Sequence, residues 1–218
     1  MQIVKVVDGA DVTLLHRQVI APHFPVSERG PAAALVAGVL SGRQEVFGVQ
    51  VRGVWAACAV IERFTTPGIV LLDWLAVVPE LRSGGWGRAL VRHVVREAAA
   101  SGAGLVIAEI EDPGGPAQSE AWGDPARRAR FYAGLGAKAI LVPHDQPPLA
   151  EGQPSVPLLL IALTSTPLGD RLPNEPLRSV LSEYLGDHPS RAVMERALEG
   201  DRVPLVPISP DAFMATRR

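Results

Sequence analysis

The chain has one cysteine, Cys58, in 218 residues. A single thiol excludes an intrachain disulfide framework and suits a reducing compartment. Cys58 lies in the apolar run Trp55-Ala-Ala-Cys-Ala-Val60, where a buried, inert thiol is expected. Excess charge of one sign is also missing. The formal net charge is −2, which gives no electrostatic footprint for nucleic acid. No apolar run is long enough to span a bilayer, and no basic-then-apolar signal stands at the N-terminus. The expectation is a soluble cytoplasmic protein without nucleic-acid or membrane partners. The five histidines (His16, His23, His93, His144, His188) have no metal-ligand spacing, so no metal is expected.

Apolar residues make up 47% of the chain, enough for a substantial core, and 21 glycines and 20 prolines punctuate it. Residues 2–7 read as a first strand. Asp11 reads as the cap of a helix to about Ile20, and a second helix fits Pro31 to Leu40 with Gly42 beyond its end. Residues 45–51 and 54–64 are β-rich runs separated by Arg52-Gly53 and read as a hairpin. Residues 69–78 are apolar on both faces apart from Asp73, as expected of a covered central strand. From Gly87 to Ala100 the period becomes helical, with Leu90, Val91, Val94, Val95 and Ala98 in one stripe. Leu105 to Glu111 is a strand whose alternation places Leu105, Ile107, Glu109 and Glu111 on one face. The same rule places Asp73 with Leu71, Leu75 and Val77. Asp124 caps a helix with Pro125 at its first position, ending near Leu135. Residues 137–142 and 156–163 are further strands. After Thr166, residues 174–185 and 190–198 read as short amphipathic helices, and the tail from Asp201 reads as extended.

The segment from Asp73 to Val91 carries the chemistry. A strand turns at Pro79 into Arg82-x-x-Gly85-x-Gly87 and then directly into a helix. The first N–H groups of a helix lack intrahelical partners and sit at the positive end of its dipole, so this order makes an anion site. A diphosphate suits it, with Arg82 and Arg88 adding charge. A Walker A loop needs Lys-Ser/Thr after the last glycine, and Arg88-Ala89 fails that. A Gly-x-Gly-x-x-Gly dinucleotide fingerprint is also missing.

The segment resembles motif A of the GNAT superfamily of acyl-CoA N-acyltransferases, Arg/Gln-x-x-Gly-x-Gly/Ala. A second match, Phe131-Tyr132-Ala133-Gly134-Leu135-Gly136-Ala137, resembles the Phe-Tyr-x-x-Leu-Gly-Phe segment of the same superfamily. The two occur in the family's order around β-α-β-α-β elements, over about residues 1–165. The resemblance implies an α/β GNAT fold with a mixed, mostly antiparallel sheet flanked by helices. Residues 166–218 are then a C-terminal helical extension and tail, which the shortest members lack.

The resemblance also implies site roles. The pyrophosphate of acetyl-CoA would accept from backbone N–H groups of Ser83, Gly84, Gly85, Trp86, Gly87 and Arg88, beside Arg82. The pantetheine arm would pair along Leu75, Ala76 and Val77 like an added strand. A β-bulge N–H near Val77 would polarise the thioester carbonyl. A protonated amine must lose a proton before attack, and Glu109 is the candidate general base. Its alternatives are a solvated strand-end carboxylate or a partner for an arginine in 127–130. Asp73 is a second carboxylate for the base or for substrate positioning. Tyr132 is the candidate general acid for the departing thiolate, or else a packing residue behind the cofactor.

Arg127, Arg128 and Arg130 either help bind phosphate or form a solvated face. Trp122 could touch substrate, and Glu28 could hold a cationic amine. The asparagine that many members carry before the tyrosine helix is missing from residues 112–128. The expected reaction is acetyl transfer from acetyl-CoA to a primary amine, small molecule or peptide, by direct attack. The expected acceptor cleft lies among residues 11–41, the 112–124 loop and the C-terminal extension. A non-catalytic acyl-CoA sensor or assembly subunit, a longer acyl donor and a homodimer remain open at this point.

Overall fold

The computed structural model describes residues 2–25, 29–115, 124–148 and 154–217. Strand β1 (Val4–Val6) leads to helix α1 (Gly9–Leu15), which continues as a π-helical turn, His16–Ile20. The cap is Asp8, not Asp11. Its carboxylate accepts from the N–H groups of Ala10 and Asp11, which places the helix start earlier than the apolar pattern suggests. Helix α2 (Ala32–Leu40) precedes the hairpin β2 (Gln44–Val51) and β3 (Val54–Arg63). Arg52 and Gly53 both have positive φ, 52° and 78°, as a type I′ turn requires. Strand β4 (Ile69–Val77), helix α3 (Trp86–Ala100), strand β5 (Leu105–Ile110) and helix α4 (Pro125–Ala133) follow. Asp124 Oδ1 caps α4 by accepting from Ala126 N at 2.9 Å.

The rest of the chain keeps adding to the same sheet. Strands β6 (Lys138–Ile140), β7 (Asp145–Gln146), β8 (Val156–Pro157) and β9 (Leu159–Leu163) are followed by β10 (Arg171–Pro173). Helices α5 (Asn174–Leu185) and α6 (Ser190–Ala197), strand β11 (Arg202–Val206) and helix α7 (Pro210–Ala215) complete it. Among the described residues the main sheet has nine strands in the order β1-β2-β3-β4-β5-β9-β6-β11-β10, with β7 and β8 forming a separate ribbon. Among the described residues only β4 and β5 pair in parallel. The mixed, mostly antiparallel sheet flanked by helices is therefore as expected. The segment after 166 is more than helical, because β10 and β11 extend the sheet. No helix among the described residues is long and apolar enough to cross a membrane.

Helices α3 and α4 cover one face through a core that includes Val70, Leu72, Leu90, Val91, Val94 and Tyr132. The opposite face is shared. Val12, Leu15, Val19, Ile20 and Leu35 pack on Trp74 and Ala76 at the N-terminal half. Leu177, Leu181 and Leu185 of α5 pack on Ile69, Leu71, Ile107 and Leu160 at the C-terminal half. Each of those buried leucines contributes about 1.5–3 kcal/mol by leaving water, so α5 is docked by the same apolar stripe that made it legible as amphipathic.

Candidate active site

The site forms where the parallel pair comes apart. The β4–β5 ladder runs from Ile69↔Leu105 to Leu72↔Ala108 and stops, while β4 continues to Val77. On its other edge β4 stays paired with β3, but the register slips between Val60↔Trp74 and Ile61↔Leu72. Asp73 is the extra residue. This corrects two expectations. The bulge lies at Asp73 and not near Val77. Because one inserted residue reverses the alternation, Leu75 and Val77 join Val70 and Leu72 on the α3 face, and Leu71 lies on the opposite face. The parting leaves the β5-facing backbone of residues 73–77 outside the β4–β5 ladder.

A cavity of about 430 Å³ opens at this split. It is lined by Glu109, Tyr132 and Asp73, and by every predicted cofactor position except Gly84. Those are Leu75, Ala76, Val77, Arg82, Ser83, Gly85, Trp86, Gly87 and Arg88. A Cβ on Gly84 would stand 2.9 Å from the Trp86 ring and 3.2 Å from the Leu81 carbonyl, so Gly84 is needed for packing. Ser83 (φ 68°) and Gly85 (φ 80°) are both left-handed, and the turn they make brings the chain to the head of α3. Gly85 is the N-cap and has no side chain to satisfy the first N–H groups of the helix. These donors and the cationic end of the helix dipole suit a diphosphate.

Side chains fix the loop. Arg82 Nε donates to the Val77 carbonyl at 3.1 Å, tying the loop to the end of β4. Arg127 Nη2 donates to Ser83 Oγ at 3.2 Å, and Arg88 Nη1 donates to the Gly134 carbonyl at 3.2 Å. Arg127 and Arg128 also line the cavity. Arg128 forms an ion pair with Glu111, and Arg130 lies 3.8 Å from Asp124. Of the arginines considered as partners for Glu109, Arg128 pairs with Glu111.

Glu109 is held by residues that sequence reasoning did not connect to it. His144 Nε2 hydrogen-bonds Glu109 Oε1, and Tyr184 Oη donates to Glu109 Oε2 at 3.2 Å. An ionised carboxylate only accepts, so the imidazole presents Nε2–H to it. The His144 ring stacks on Tyr184 with centroids 5.8 Å apart. The side chains of Glu109 and His144 are 8% and 1% exposed. Asp73 accepts from Gln44 Nε2 at 3.1 Å. Burial, followed by the nearby carboxylates of Glu62 and Glu109, pushes the Asp73 carboxyl well above its ordinary range. Tyr132 is 5% exposed, and burial pushes its phenol up to about 12. His23 and Phe24, within the 11–41 segment expected at the cleft but not singled out there, also line the cavity, as does Gln146 of β7, which was not foreseen. Glu28 and Trp122 lie outside the described residues.

Residues 20–119 match the family model described as the Acetyltransferase (GNAT) family. No curated protein matches the sequence. Among solved structures, a protein from Bacteroides thetaiotaomicron assigned to the GNAT acetyltransferases superposes with a TM-score of 0.59 at 19% identity, over 76% of this chain and 88% of that one. The ribosomal-protein-S18-alanine N-acetyltransferase of Escherichia coli gives 0.51 at 18% identity, over 77% and 97% of the two chains. The yncA protein of Salmonella typhimurium, solved with its cofactor acetyl-CoA, gives 0.51 at 17%, over 78% and 97%.

Proposed function

We propose that this chain, which carries a GNAT acetyltransferase domain and is a GNAT-type enzyme, transfers the acetyl group of acetyl-CoA to a primary amine by direct attack. One observation carries the reading. The glycine loop at the head of α3, the unpaired edge of β4, Glu109 and Tyr132 all open into one cavity. The residues present suit the cofactor. Left-handed Gly85 leaves the helix N-terminus uncapped by any side chain, and the edge of β4 beyond Leu72 has no strand partner from β5. When bound, acetyl-CoA supplies an acetyl group activated as a thioester.

The chain's own residues do the rest. N–H groups of residues 83–88, with Arg82 and Arg88, bind the diphosphate. The backbone of Leu75, Ala76 and Val77 orients the pantetheine arm and offers an N–H to the carbonyl oxygen. Glu109 takes the proton that an alkylammonium must lose before it attacks. Tyr132, protonated throughout the neutral range because burial lifts its phenol to about 12, gives a proton to the leaving sulfur. Glu109, at the cavity wall with a donor on each carboxylate oxygen, is read as the base, and Asp73, hydrogen-bonded to Gln44, as positioning the acceptor. The acceptor, a small molecule or a peptide amine, enters from the side of His23 and Phe24. No metal takes part in this scheme.

Calorimetric titration of acetyl-CoA and free CoA tests the reading, run beside an Arg82→Ala/Gly87→Trp double variant. Saturable binding that the variant abolishes is the expected result. A thiol-release screen over amino acids, diamines and peptide N-termini then identifies the acceptor. Failure of the intact protein to bind either ligand would overturn the proposal.

A further inference from the structure

We infer that His144 and Tyr184 are positioning residues for the Glu109 carboxylate, so that the C-terminal segment completes the catalytic site. The inference rests on the reading of Glu109 as the general base and extends it to residues no motif marks. Each oxygen of Glu109 receives one donor, His144 at Oε1 and Tyr184 at Oε2. Two donors on two oxygens fix the plane of the carboxylate, and the remaining lone pairs are left to the cavity. Glu109 lines that cavity, whereas neither His144 nor Tyr184 is among its described lining residues. They approach the carboxylate from behind and do not compete with substrate.

The residue types argue for the same role. The buried positions of α5 beside Tyr184 are apolar: Leu177, Val180, Leu181 and Leu185. A phenol placed among them costs free energy unless its hydroxyl is used, and Phe would pack as well. The hydroxyl is used on Glu109. The ring is set by edge-on contact with Phe64, centroids 6.5 Å apart, and by the stack on His144.

His144 is held in turn by the same C-terminal segment. Arg217 Nη2 donates to the carbonyls of His144 at 2.6 Å and Leu158 at 3.0 Å. Arg217 Nη1 and Ser190 Oγ donate to the two oxygens of Asp145, at 2.5 Å and 2.8 Å. Residues beyond 166 therefore touch the candidate base once directly and fix its other donor from outside.

The test compares the full chain with Tyr184→Phe, His144→Leu, His144→Gln and Glu109→Gln. The probes are saturating n-butylamine with acetyl-CoA and, separately, enzyme-dependent hydrolysis of acetyl-CoA with water as acceptor. Tyr184→Phe keeps both ring contacts and removes only the donor. It should lower kcat about tenfold, with the KM for acetyl-CoA within about twofold of wild type, because a small misplacement of a reacting group costs rate and not cofactor binding. His144→Leu should do the same. His144→Gln, which can offer an amide N–H near Nε2, should recover much of the loss. Wild-type kcat in both Tyr184→Phe and His144→Leu, with Glu109→Gln inactive, would overturn this inference and leave the base intact. Full activity in Glu109→Gln would overturn the base reading, and the positioning role with it. Absence of both reactions in the wild type would overturn both.

Discussion

Gly85→Ala separates what the turn needs from what a ligand needs. Gly85 holds φ 80° at the head of α3, and a Cβ added there meets no atom within 4 Å. The cost to the folded chain is then conformational, about 1–2 kcal/mol for an L-residue in the left-handed region. For a chain of this size that corresponds to a Tm lowered by about 2–8 °C. Gly102 is the control. It has φ 88°, its added Cβ also meets nothing within 4 Å, and it follows the other end of the same helix. The 15-residue helix between the two glycines is about 22 Å long at 1.5 Å rise per residue, and Gly102 does not line the cavity. Gly85→Ala and Gly102→Ala should therefore melt alike in a thermal-shift assay. Only Gly85→Ala should weaken acetyl-CoA in calorimetry, by about tenfold or more, equivalent to about 1.4 kcal/mol. Its methyl group enters the open space beside the first N–H groups of α3. Gly85→Asn should regain much of the Tm, because Asn tolerates the left-handed region, but not the affinity. Equal acetyl-CoA affinity in Gly85→Ala and wild type, or an equal loss in Gly102→Ala, would refute the assignment of this turn as the diphosphate seat.

Tyr132→Phe should lower kcat about 10²-fold with acetyl-CoA affinity retained, measured by thiol release and calorimetry; an unchanged kcat would leave Tyr132 a packing residue. Cys58 is fully buried, and burial pushes its thiol up to about 12, so the native chain should resist iodoacetamide at pH 8 and react only after denaturation. Asp73 and Glu62 are both raised, chiefly by burial, so their neutral forms favour the fold and that stability is lost as pH rises through the folded values. Asp73→Asn should thus gain Tm over wild type as pH rises above the ordinary carboxylate range, and a gap that narrows with rising pH would sink the argument. At Asp145 burial acts upward, but hydrogen bonds from Ser190 and Arg217 prevail and hold it below its ordinary value. That contribution is present above the unfolded value and lost as pH falls through the folded one. Arg217→Ala should accordingly cost more Tm at pH 7 than at pH 3, while keeping a residual cost from the carbonyls of His144 and Leu158.

What was legible in the sequence follows the range of the interactions involved. The turn at Arg52-Gly53, the stripe on α3 and the cap at Asp124 depend on residues a few positions apart, so periodicity and turn chemistry reveal them. The turn at the head of α3 was legible because it is a backbone conformation marked by its glycines, and Ser83 and Gly85 are both left-handed there. The bulge at Asp73 was not, because the register slip is decided by how β3 pairs with β4, and alternation alone assumes a regular ladder. The donors on Glu109 were least accessible of all. They come from 35 and 75 positions downstream, and their sequence signature is a histidine weighed only as a metal ligand and one tyrosine on an amphipathic helix. The chief available hint was a hydroxyl on the apolar side of that helix.

The strand order carries a consequence for how the protein matures. Strand β9 lies between β5 and β6 although it follows both in the chain, and β11 then adds beyond β6. As a polypeptide emerges from the ribosome, β5 therefore waits for β9 before its edge is covered, and Glu109 waits longer still for Tyr184. A nascent chain halted after residue 165 would hold the glycine loop while Glu109 lacked its donor on Oε2. On the proposed role of Glu109, turnover is deferred to late synthesis, and a ribosome-stalled series of increasing length should gain cofactor binding before it gains turnover.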